Sequence, residues 1–275
     1  MWHLIAAVLA VGAVNAGLGI SASILGRTRR EGGPAPRAEP GPRTLFVTGC
    51  LLALAAYPLV RTLSISTGGL FVALLGLYYC VGFLLSAIEA IVFSSGPSPI
   101  QPRDALGALV MASLCAGTAS LVMSPASSAS LLDNLERWFD LGGVQESALR
   151  IALAAVAFMV AYCVIGSITW HFVRPYYEDP RFGLSLRVPG AKVIIPLQLA
   201  RGLVVTLVFL PFIASTSSQG AREYFLLSSA LALPAGVVPL LSAVGWPTFL
   251  RLAHGIEIVI FAFVYGFALW RLLGT

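Results

Sequence analysis

Ile151-Ala152-Leu153-Ala154-Ala155-Val156-Ala157-Phe158-Met159-Val160-Ala161-Tyr162-Cys163-Val164-Ile165-Gly166-Ser167-Ile168-Thr169-Trp170 runs without one charged side chain. About twenty apolar residues in a helix cross ~30 Å of hydrocarbon. The stretch therefore predicts a transmembrane helix over 149–172. Repeating the test along the chain gives seven more, at about 3–25, 44–60, 69–94, 105–124, 193–214, 224–243 and 249–270.

Composition agrees. Of 275 residues, 58% are hydrophobic and 11% charged, with a mean hydropathy of +0.89. Soluble domains carry roughly 25% charged residues, so this chain could not keep a hydrated surface. The fold class expected is an all-α integral membrane protein, a polytopic bundle of about eight transmembrane helices forming one transmembrane domain over 1–275. The first run resembles a signal peptide around Val14-Asn15-Ala16. It lacks a basic start and stays apolar to Leu25, which favours an uncleaved span.

The basic residues orient the bundle. Arg27, Arg29, Arg30, Arg37, Arg43, Arg103, Arg174, Arg181, Arg187 and Lys192 fall on one side; Arg61, Arg137, Arg150, Arg222 and Arg271 fall on the other. Short basic loops resist translocation, so the first side is expected in the cytoplasm and both termini outside, in a bacterial inner membrane. The pI near 9.3 is a topology signal on this reading, and nucleic acid is not an expected partner. The expected partners are the bilayer and anionic lipids, which suit the cytoplasmic loops.

One segment between spans has its own pattern. In Leu131-Leu132-Asp133-Asn134-Leu135-Glu136-Arg137-Trp138-Phe139-Asp140 the apolar residues form one helical stripe with charges opposite. It predicts an interfacial amphipathic helix with Trp138 at headgroup level, capping the bundle or acting as a lid. The seventh span carries Pro234, Gly236 and Pro239 mid-way. Each proline removes a backbone donor, so a kink or break is expected, the kind of interruption that builds binding sites in many transporters.

Four ionisable groups lie within spans: Glu89, Arg201, His254 and Glu257. Helical rise places Arg201 and Glu257 about 12 Å deep and Glu89 about 8 Å deep, all in the cytoplasmic half. A charge facing lipid is costly, so these groups are expected to turn inward, with Arg201 pairing Glu89 or Glu257. They make a buried charge cluster that either locks packing or couples an ion or substrate. A second candidate is the head-group loop with His171, Arg174, Tyr176, Tyr177 and Arg181. Ile88-Glu89-Ala90-Ile91-Val92-Phe93 also resembles Ile256-Glu257-Ile258-Val259-Ile260-Phe261, in spans of opposite direction.

No serine elbow, phosphate-binding glycine loop or HExxH motif is present. Cys50, Cys80, Cys115 and Cys163 form no CxxC pair, and His254 with Glu257 falls short of the ligands a metal needs; no metal or cofactor is expected. Transport of a small solute or ion is the leading expectation. The alternatives are an enzyme acting on a lipid head group at the cytoplasmic face, or a non-catalytic subunit or scaffold.

The orientation is testable by single-cysteine labelling on intact cells with an impermeant maleimide. A cysteine at position 137 should react and one at position 104 should not; the reverse pattern inverts the topology.

Overall fold

Away from water a backbone must satisfy its own N–H and C=O groups, which a helix does within one segment. The computed structural model describes residues 2–27, 41–93, 101–123, 127–179, 188–217, 220–242 and 246–274. They form α1 (Trp2–Arg27), α2 (Pro42–Val60), α3 (Thr67–Phe93), α4 (Pro102–Met123), α5 (Leu131–Glu178), α6 (Ala191–Ser215), α7 (Ala221–Leu241) and α8 (Thr248–Leu273). Seven of these, α2 to α8, are long and apolar enough to cross a membrane; in α1 the described apolar stretch, Trp2–Gly17, is shorter. The protein is an all-α, multi-pass integral membrane protein. Among the described residues the β structure is one isolated bridge, Leu63 to Thr216.

Local chemistry sets several helix starts. Pro42 opens α2 after Gly41, a position where the missing N–H costs nothing. Ser66 caps α3 by accepting from Gly69 N at 3.3 Å, and Ser130 caps α5 by accepting from Leu132 N at 3.2 Å. Small residues then bring helices together. A Cβ at Gly202 on α6 would stand 2.6 Å from Ala155 O of α5, and one at Gly49 on α2 would stand 2.8 Å from Val11 O of α1. Lipid gives little hydrophobic drive between helices, so such close backbone contact carries much of their association.

One end of the bundle is closed by its own connections. Ser64 N donates to Ser215 O and Ser217 N to Thr62 O, each at 2.8 Å, while Ser66 N donates to Ala129 O at 2.8 Å. These bonds join the α2–α3, α4–α5 and α6–α7 connections into one knot. Asn134 sits beneath it, buried, donating from Nδ2 to Ser64 O at 2.8 Å and Ser215 Oγ at 2.9 Å.

The 131–140 helix runs on to Gly142 and is set apart from the helix of the 149–172 span by a kink at Gly143 (φ 71°, ψ 162°), so that α5 is two helical stretches; glycine adopts this backbone state without strain. Trp138 does not lie on the surface as an interfacial anchor would. It is buried, and its Nε1 donates to Leu273 O at 2.9 Å. The last carbonyls of α8 have no partner within their own helix, and the indole N–H satisfies one of them. The segment therefore caps the bundle with Asn134 and Trp138, leaving Leu132 and Leu141 exposed.

Removing the Asn134 amide leaves a buried carbonyl and hydroxyl without their donor. Asn134→Ala should cost roughly 1–3 kcal/mol, read as a lower thermal unfolding temperature in detergent, while Asp133→Ala on the exposed side of the same turn should be neutral. Equal stability for the two variants would show that the knot holds without Asn134.

Candidate functional site

The half of the bundle opposite the knot holds every ionisable group expected inside a span. The structure sorts them into two hydrogen-bonded sets. In the first, Arg201 Nη2 of α6 lies 3.0 Å from Glu89 Oε2 of α3, and Arg201 Nη1 donates to Gln198 Oε1 at 2.8 Å. Tyr162 of α5 donates to the other carboxylate oxygen, Glu89 Oε1. The guanidinium lies over Tyr162 and Phe158, 5.4 and 6.0 Å from the ring centroids, where the ring faces attract a cation. Arg201 thus takes Glu89, one of its two expected partners.

Glu257 belongs to the second set. Its Oε2 is 2.7 Å from His254 Nδ1, and the Tyr177 hydroxyl meets His254 Nε2. The (i, i+3) spacing on α8 brings Glu257 and His254 onto one face. Trp170 stacks on Tyr177 with centroids 5.5 Å apart, and Trp246 stands 5.8 Å from the imidazole. The two sets are neighbours on α5. A Cβ at Gly166 would meet Glu257 Oε1 at 3.6 Å, and Gly166 lies one turn from Tyr162.

Of the expected head-group loop, His171 is exposed and touches Phe172, its own neighbour; Tyr176 stacks on Phe249 of α8; Arg174 pairs with Glu178 at 2.7 Å. Tyr177 turns to His254. Arg181 lies outside the described residues, as do Arg29, Arg30, Arg37 and Arg187. Among the described residues no three His, Cys, Asp or Glu side chains are grouped to hold a metal.

Two further features adjoin these sets, one foreshadowed by its prolines and one without a sequence signal. The proline-bearing stretch of α7, Leu233–Val237, is a π-helix, closed by Val238 N donating five residues back to Leu233 O. A matching π segment, Gly76–Leu84, interrupts α3 and is closed by Leu85 N donating to Cys80 O. No proline marks it. The two segments pack together, and a Cβ at Gly82 would meet Pro234 O at 3.9 Å. Beside them lies a groove of about 490 Å³, lined by Gly82 and Ser86 of α3, Cys115 of α4, Pro239 of α7, and Asn15 and Thr48 from α1 and α2. Asn15 Nδ2 donates to Thr48 Oγ1 at 2.9 Å and Leu45 O at 2.7 Å; most of the remaining wall is apolar. Glu89 stands one turn beyond Ser86 on α3.

Removing one member of a buried ion pair strands the other, at a cost of about 3 kcal/mol. Arg201→Leu should lower the thermal stability of the purified protein by that order, and Glu89→Leu in the same chain should restore most of it. Glu257→Leu should not, since Glu257 is held by His254. Rescue by Glu257→Leu instead would overturn the pairing.

The sequence matches no family model, and neither a curated protein nor a solved structure shows significant similarity to it.

Proposed function

We propose that this protein transports a small apolar or amphipathic solute across the membrane. In this reading the groove holds the solute, the paired π segments flex, and the ionic sets bias the movement. One observation carries it: two interrupted helices, α3 and α7, meet at their interruptions beside a groove. π segments are rare and recur at functional sites, and irregular backbone is tolerated at membrane depth where protein or a watery cavity surrounds it. Transporters place substrate sites at helix interruptions of this kind.

The chemistry of the wall supports the solute class. Leu52, Phe83 and Met111 offer apolar surface, while Asn15, Thr48 and Ser86 offer a few polar atoms. Glu89, one turn from Ser86, connects the groove wall to Arg201. Weakening that pair would free α3 to move against α6, which is how a local charge change biases a two-state element. The distribution of arginines supports a bacterial inner membrane with both termini outside and anionic lipid at the basic end.

The rival reading is a non-catalytic scaffold, favoured by the pairing of both Arg201 terminal amino groups. Alternating access separates the two. In a chain with all four native cysteines replaced, Ser86→Cys should react with an impermeant maleimide from both faces, in right-side-out and in inside-out vesicles. Labelling from one face alone, or from neither, removes the transport reading and leaves the scaffold.

A further inference from the structure

We propose that Tyr177, His254 and Glu257 bind a proton in relay, and that this proton is the coupling ion, a role that rests on the transport reading above. The hydrogen-bond roles follow from the atoms. An ionised carboxylate only accepts, so the hydrogen between Glu257 Oε2 and His254 Nδ1, 2.7 Å apart, belongs to the imidazole. Nε2 of the neutral ring is then the acceptor, and the Tyr177 hydroxyl donates to it. The ring is poised to take one proton at Nε2 while Nδ1 stays fixed on the carboxylate.

The transfer balances. Hydronium at the aqueous end delivers a proton to the Tyr177 oxygen as that hydroxyl passes its own hydrogen to Nε2. Two O–H bonds break, one on the hydronium and one on Tyr177; one O–H bond forms on Tyr177 and one N–H bond on His254, and water and tyrosine both end neutral. The imidazole becomes an imidazolium facing the Glu257 carboxylate, and the pair goes from a net negative charge to none. Position suits the order of steps. Tyr177 lies next to the last residue of α5, Glu178, and His254 and Glu257 lie six and nine residues into α8 from Thr248.

The groups around the imidazole set its response. From α5 come Tyr177 and, one turn beyond Gly166, Tyr162; behind Tyr162 stand Glu89 of α3 and Arg201 of α6. On α8 itself are Glu257 and, one turn earlier, Arg251. α7 carries no titratable side chain after Tyr224. Trp170 stacks on Tyr177, and Trp246 stands beside the imidazole. Sodium is a poor fit, because hard cations take a shell of several oxygens, and this set offers one carboxylate, one hydroxyl and a nitrogen.

Protonation reaches the groove through α5. Glu257 Oε1 lies against Gly166, one turn from Tyr162, which holds Glu89 in its pair with Arg201. Cancelling the Glu257 charge alters the field at that pair, and with it the tie between α3 and α6.

The test uses the full chain in nanodiscs, with His3→Gln and His171→Gln. Both residues are exposed, and their loss leaves His254 as the one histidine. With ¹⁵N-labelled histidine, the ring nitrogens should titrate in a single step, with Nδ1 protonated throughout. The midpoint should be the same in sodium and in choline buffer. Glu257→Gln should lower proton affinity about tenfold or more, as loss of a facing charge does. Tyr177→Phe, which preserves the His–Glu pair, should slow exchange between the two forms. A ring that stays in one state across the stable pH range, a midpoint unmoved by Glu257→Gln, or a midpoint set by sodium would each overturn the relay. For the coupling role, two-sided labelling of Ser86→Cys should vary with pH and lose that dependence in His254→Gln; labelling indifferent to pH would overturn it. Titration without two-sided labelling removes transport and leaves the relay; two-sided labelling without titration removes the relay and leaves transport.

Discussion

A permanently charged guanidinium inside a membrane-spanning helix is the constraint around which this half of the bundle is organised. Arginine does not shed its proton when buried, so Arg201 must find a counter-charge and donors' partners within the protein. It finds Glu89 on α3, Gln198 on its own helix, and the faces of Tyr162 and Phe158 on α5. Three helices are fixed by one side chain. Their approach is possible because Gly202, next to Arg201, lets α6 come within backbone contact of α5.

The opposite end of the molecule is built on different chemistry. There the connections between helices carry backbone groups with no intrahelical partner, and these bond one another across three connections. Asn134 and Trp138, both polar at one tip and buried, complete the closure. The contrast gives the bundle one end joined chiefly by backbone hydrogen bonds and one joined by ionic pairs. The paired π segments and the groove lie between these ends.

The amino-acid sequence by itself determined the class and the approximate limits of most helices. Those depend on a one-dimensional quantity, run length against bilayer thickness. Spans read at 44–60, 105–124 and 193–214 became Pro42–Val60, Pro102–Met123 and Ala191–Ser215. Pro234 and Pro239 announced the break in α7, because a missing donor is written in the residue. Tertiary structure alone decided that Arg201 pairs Glu89 while Glu257 takes His254, since partner choice depends on rotation and register between helices distant in sequence. It alone drew Tyr162 into the first set and Tyr177 away from His171 into the second. The π segment of α3 was silent in sequence because no proline marks it; it became apparent only where α3 packs on the break in α7. Trp138 reads as a headgroup anchor from its stripe, yet its indole is buried, because the carbonyl it satisfies belongs to a residue 135 positions away, and no local pattern encodes a contact at that distance.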